Sequence, residues 1–318
     1  MTGFMENLIF SLNATVPVFT MILLGMLFKK IGWIDQEFAS KMNKFVFLVP
    51  LPVLVFEDLA TLDFNEVWDT KFVLFCFFVT IASIFLVIII SFLIKDKKNQ
   101  GEFIQSSYRS SAALLGIALI QNIYGKATIA PLMIIGSVPL YNIIAVVVLS
   151  LFSPERKELN KEVWIKTGKG IITNPILIGI CVGLLWSMFK IPMPAMLAKT
   201  VSSVGNVATP MGLMAMGATF DFQSALGEIK TSLLATFMKL FGFCIIFLPL
   251  AVYFGFTGEQ LIAILVMLGS ATTVSCFVMA KNMGHEGVLS STVIMLTTLL
   301  SGFSITMWLY ILKMMQLV

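Results

Sequence analysis

Ten apolar runs, separated only by short charged or glycine- and proline-containing breaks, take up almost the whole of this sequence. They lie at roughly 8–28, 41–60, 71–94, 103–122 and 128–152, then 171–189, 197–219, 230–254, 259–281 and 288–312. A helix needs about 20 apolar residues to cross the hydrocarbon core of a bilayer. Ten such helices with short loops use up a chain of 318 residues and leave little for a soluble domain. Composition agrees: 58% of residues are hydrophobic and 12% charged, whereas a soluble domain carries roughly a quarter charged residues. The expected fold class is all-α integral membrane, with ten transmembrane helices.

The charges exclude other classes. The net charge of +4 arises from 21 basic and 17 acidic residues scattered between the apolar runs. With no basic face, nucleic acid is not an expected partner. Cys76, Cys181, Cys244 and Cys276 all fall inside apolar runs without CxxC or metal-ligand spacing. They read as small hydrophobes, and no metal or other cofactor is expected. The first basic residue is Lys29, so the N-terminus lacks the positive region of a signal peptide and the first helix is expected to be retained.

The second half of the chain echoes the first at a constant offset of 158 residues. Pro17 matches Pro175, Gly25 matches Gly183 and Pro52 matches Pro210, and the segment Ala60 to Phe64 (ATLDF) matches Ala218 to Phe222 (ATFDF). One register held across two helices and their loop reads as a tandem duplication. The expected units are a first repeat over 1–152, a linker over 153–170 and a second repeat over 171–318. Five helices per repeat is an odd number, so the copies would enter the membrane from opposite sides as inverted repeats. Basic residues in the breaks after odd-numbered runs, including Lys29, Lys95, Arg156 and Lys230, outnumber those on the other side about threefold. The positive-inside rule then places the linker in the cytoplasm and both termini outside it.

In transporters built this way, solute binds near the midplane where helices are interrupted. Two matching segments rich in small and hydroxyl residues qualify. Run 4 holds Arg109, Ser110, Ser111 and Gly116, and run 9 holds Ser270, Thr272, Thr273 and Ser275. Such residues serve equally to pack one helix on another, which is the competing reading. Arg109 in run 4 could snorkel to the interface or draw an anion inward. Lys239 in run 8 is expected to snorkel. Tyr141 and Asn142 follow Pro139 deep in run 5 with no counterpart in run 10. The Asn13/Thr15 group before Pro17 and the Thr173/Asn174 pair before Pro175 read as helix caps. His285 and the acidic residues Asp58, Asp63, Glu66 and Asp69 read as solvated loop positions.

These segments resemble the auxin efflux carrier family, particularly its bacterial branch of malate and malonate permeases. The resemblance is carried by Val16–Phe19, Leu51–Phe56, Pro139–Asn142, Thr173–Pro175, Ala208–Pro210, Met216–Ala218 and Val274–Ala280. It implies a five-plus-five inverted fold in which helices 4 and 9 are interrupted and cross at the substrate site. Helices 1, 2, 6 and 7 would be the scaffold, and helices 3–5 with 8–10 the mobile transport unit. Family members often carry a proline in each crossing helix, where this chain has Ala118 and, near the other crossing, Ala271. Either the remaining small residues open these helices or the crossing is less broken.

The expected function is a secondary carrier for a small organic anion, a mono- or dicarboxylate, working by alternating access; without a GxxxxGK[ST] motif, direct ATP coupling is not expected. The coupling ion, proton or sodium, stays open, as does assembly into a homodimer. The alternative is a membrane sensor or scaffold that keeps the fold without transporting. An enzyme is disfavoured, because the sequence has a single histidine and no paired carboxylates at membrane depth. The expected location is a bacterial plasma membrane.

Overall fold

The computed structural model describes residues 2–61, 68–112, 117–124, 128–154, 170 and 172–318. The chain is 80% helix, with no strand among the described residues. The first half contains α1 (Thr2–Lys30), α2 (Gln36–Leu48), α3 (Pro50–Ala60), α4 (Thr70–Ser91), α5 (Gln100–Tyr108), α6 (Ile117–Tyr124) and α7 (Ala130–Leu151). The second contains α8 (Pro175–Met188), α9 (Ala195–Gly205), α10 (Ala208–Thr219), α11 (Phe222–Gly227), α12 (Ile229–Phe237) and α13 (Phe243–Tyr253), with a π-helical turn at Met238–Gly242 joining the last two. It ends with α14 (Gly258–Gly269), α15 (Ser275–Asn282) and α16 (Val288–Met314). Among the described residues, five helical stretches are long and apolar enough to cross a membrane: Gln36–Ala60, Thr70–Ser91, Ala130–Leu151, Ile229–Tyr253 and Val288–Met314.

Helix α4 shows which solvent the fold was built for. No charged residue lies between Phe72 and Ile94. One face, with Phe72, Cys76, Val79 and Val87, is buried against the rest of the chain. On the other, Phe78 is 62% and Phe85 64% exposed. Water would penalise that face, whereas hydrocarbon accepts it and leaves the helix with all its backbone groups satisfied internally.

The duplication register reappears in the packing. Helix α1 packs on α10, and α8 packs on α3. In the 158-residue register α8 is the copy of α1 and α10 the copy of α3, so each contact is the image of the other. The contacts of α2 with α10 and of α9 with α3 repeat the exchange. Glycines make the close approaches possible. Gly25 meets the backbone of Met214, and its copy Gly183 meets Phe56, the counterpart of Met214. A Cβ on Gly183 would lie 2.9 Å from the Phe56 carbonyl oxygen. Gly25→Val and Gly183→Val should each force the helix pair apart and destabilise the protein by about 1–3 kcal/mol. Thermal unfolding in detergent would read this as a lower Tm for both, and an unshifted Tm in either would refute the close-packing account.

The halves differ at their first helices. Pro175 opens α8, and the Asn174 side chain caps it by accepting the Ile176 N–H at 3.0 Å. Pro17 was expected to open the first helix in the same way, but α1 begins at Thr2 and Pro17 lies inside it. The apolar stretch upstream of Asn13 extends the helix past the proline.

Candidate functional site

Helical geometry stops in the middle of runs 4 and 9. After α5, Arg109 turns extended with φ −74° and ψ 129°. After α14, Ser270 turns extended with φ −78° and ψ 165°, and helix resumes only at Ser275. The two broken segments touch: the Ser111 N–H donates to the Ala271 carbonyl at 3.0 Å.

Neither break contains a proline, so the freed backbone groups need other partners. Side chains distant in sequence supply them. The Thr272 N–H donates to the Thr297 hydroxyl on α16 at 3.0 Å, and the Thr272 hydroxyl donates to the Ser106 carbonyl at 2.8 Å. The Gln105 amide donates to the Cys276 carbonyl at 2.8 Å. At the end of α14 the Met267 carbonyl accepts from Ser110 and, at 3.1 Å, from the Tyr141 hydroxyl. The Leu268 carbonyl accepts from the Lys239 ammonium at 2.5 Å. Interruption here is enforced by tertiary hydrogen bonds and needs no missing N–H.

A cavity of about 80 Å³ opens beside this junction. One wall comes from α2, α3 and α10, with Val46, Leu51, Val55, Asp58 and Thr209. The other comes from the broken segments and α7, with Arg109, Ser111, Asn142, Thr273 and Ser275. Arg109 is 2% exposed. Its guanidinium donates to Asn142 Oδ1 and Ser275 Oγ at 2.8 Å each, and its other terminal nitrogen lies 2.8 Å from the Met279 sulfur and 3.4 Å from Gln105 Oε1. Its Nε has no partner, and no carboxylate lies within ion-pair distance among the described residues. Ser275 is the first residue of α15, so the positive dipole end of that helix lies at the same cavity, although its Cys276 and Phe277 N–H groups already donate to the Thr273 and Val274 carbonyls at 3.0 Å each. A buried cation and a helix N-terminus together favour an anion.

Of the residues expected at a site, Arg109, Ser110, Ser111, Tyr141, Asn142, Thr273 and Ser275 line this cavity. Ser270 and Thr272 do not. Ser270 is fully buried, and Thr272 is spent on holding the break open. Ala271 contributes its carbonyl, Ala118 falls in the first turn of α6, and Gly116 lies outside the described residues.

Four expectations change. Lys239 does not snorkel: it is fully buried, because the π-helical turn carries it inward to Ser110 and the end of α14. His285 is not a solvated loop residue. It is 4% exposed, with Nε2 2.9 Å from the Leu149 carbonyl of α7. Asp58 belongs to the cavity wall. Asp69 caps α4 by accepting the Phe72 N–H at 3.1 Å and also accepts from Gln260 at 2.8 Å, while Asp63 and Glu66 lie outside the described residues. The Asp58 placement was readable: Leu51, Leu54, Val55 and Asp58 follow the i, i+3, i+4, i+7 spacing of one helix face.

A search of curated proteins finds no match. The sequence profile of the family described as membrane transport protein matches residues 10–309, nearly the whole length. With its apolar helices and two interrupted segments already described, the chain belongs to this family of membrane transporters, that of the auxin efflux carriers.

Proposed function

We propose that the chain is a secondary carrier that moves a small organic anion, a mono- or dicarboxylate, across the membrane by alternating access. The observation that carries this reading is Arg109, a buried cation beside the N-terminus of α15 with no carboxylate partner among the described residues. Leaving such a charge in a membrane protein is expensive unless a ligand completes it. The solute carboxylate would take hydrogen bonds from the guanidinium, the Ser275 region and the hydroxyls of Ser111 and Thr273. On this reading the fold is ten crossings in two inverted repeats. The reciprocal packing of α1 with α10 and α8 with α3 supports it. The first, second, sixth and seventh crossings form the scaffold, and the others move against it. Because the cavity is walled by both sets, their relative motion would open it to one side and then the other. The basic bias of the breaks favours a cytoplasmic linker in a bacterial plasma membrane.

The test is uptake into proteoliposomes from a panel of radiolabelled mono- and dicarboxylates, with proton and sodium gradients imposed separately. No accumulation or counterflow of any of them would end the carrier reading, and binding without flux would favour the sensor alternative. Asp58 offers a second check, since its carboxyl lies in the wall facing an anionic solute and repels it whenever ionised. Asp58→Asn should lower the KM for the anion by up to about tenfold, the order of effect for removing a like charge across a cavity. An unchanged KM would remove Asp58 from the solute path.

A further inference from the structure

Lys239 is the buried charge that the proposed solute site leaves unused. Its side chain is fully buried in the middle of the stretch Ile229–Tyr253, at the π-helical turn Met238–Gly242. Such turns re-aim side chains and concentrate at functional positions. Among the described residues, the ammonium donates to two oxygens, the Ser110 hydroxyl and the Leu268 carbonyl, each at 2.5 Å. The Ser110 hydroxyl in turn donates to the Met267 carbonyl, which also accepts the Tyr141 hydroxyl at 3.1 Å. Met267 and Leu268 belong to the last turn of α14, where unpaired carbonyls and the negative dipole end converge. No acidic side chain lies within ion-pair distance of Lys239 among the described residues.

A cluster of carbonyl and hydroxyl oxygens at the C-terminal end of a broken helix is the environment in which secondary transporters hold a coupling cation. Here a covalently attached ammonium fills it. We propose that Lys239 is a resident cation: it holds the position a sodium ion would take, it fixes the broken end of α14 against Ser110 on the facing broken segment, and it makes the protein independent of sodium. This rests on the carrier reading for its meaning in transport. As a statement about cation occupancy it can be tested without any solute.

The test compares the purified full-length protein with Lys239→Ala and Lys239→Met in detergent, following thermal unfolding in sodium, lithium, potassium or choline chloride at equal ionic strength. The wild type should unfold at the same temperature in all four. Each variant should unfold several degrees lower in choline and regain at least half of that loss in sodium or another of the alkali chlorides, as the freed oxygens of Leu268, Ser110 and Met267 accept an ion. Stabilisation of the wild type by sodium over choline would overturn the proposal, because a separate sodium site would then exist. Variants that are folded yet respond equally in all four salts would also overturn it. If a variant cannot be extracted folded in choline, extraction is repeated in sodium chloride. Recovery only with sodium supports the proposal, and failure in both salts counts against it. Uptake under an imposed sodium gradient supplies the transport arm. Sodium-driven uptake by the wild type would contradict the proposal, whereas absence of uptake of any carboxylate would instead remove the carrier reading and leave the salt result standing.

Discussion

Arg109→Gln is expected, on the proposed carrier reading, to reduce carboxylate uptake about 100-fold, because each charge-assisted hydrogen bond to a carboxylate contributes roughly 1.5–3 kcal/mol. Stability should move far less. The wild-type guanidinium is already buried without a carboxylate partner among the described residues, so its removal relieves a desolvation penalty while losing bonds to Asn142 and Ser275. A glutamine amide can still donate to one of those oxygens. Arg109→Lys keeps the charge but gives up the planar fork that reaches Asn142 and Ser275 together, so its uptake should fall between the other two. Uptake and solute-induced thermal stabilisation, measured on the same preparations, separate the roles. If Arg109→Gln transports normally, or if its Tm collapses together with uptake and Arg109→Lys restores only the Tm, then Arg109 is a structural tie and not a solute ligand.

Much of this arrangement could be read from residue order, and what could not has a common cause. The hydroxyl- and glycine-rich segments in runs 4 and 9 stand out against apolar text, and the 158-residue register links the two halves without any coordinates. Both signals are local or periodic. Asp58 shares a helix face with Leu51, Leu54 and Val55 that the spacing shows, but Lys239 and His285 escape such a reading because burial of a charged or polar side chain depends on what the rest of the chain brings to it. A π-helical turn swings Lys239 onto α14, and packing against α7 encloses His285. Proline logic was too narrow in the same way. A proline opens a helix by withholding a local N–H, whereas here Thr272 is held by Thr297 and Ser106, and the end of α14 by Ser110, Tyr141 and Lys239. Lacking both prolines, the two segments are still interrupted and still meet at Ser111 and Ala271.

That junction separates holding the fold from handling the solute, and Ser111 tests the division. Its backbone N–H binds the Ala271 carbonyl, while its half-buried side chain lines the cavity. Substitution leaves the backbone bond in place. Ser111→Leu should therefore fill the passage between Arg109 and Thr273 and abolish uptake, while stability changes by about 0.5 kcal/mol or less, as at positions free of packing or hydrogen-bond roles. Ser111→Ala removes only the hydroxyl, so uptake should drop about three- to tenfold, the weight of one neutral hydrogen bond. The ordering matters more than either value. Alanine retaining most activity while leucine retains none means the solute passes this point, and the hydroxyl is one contact among several. Equal loss in both would make the hydroxyl itself indispensable. Full activity in Ser111→Leu would show that the solute crosses elsewhere, and the cavity beside the broken helices would lose its claim to be the transport site.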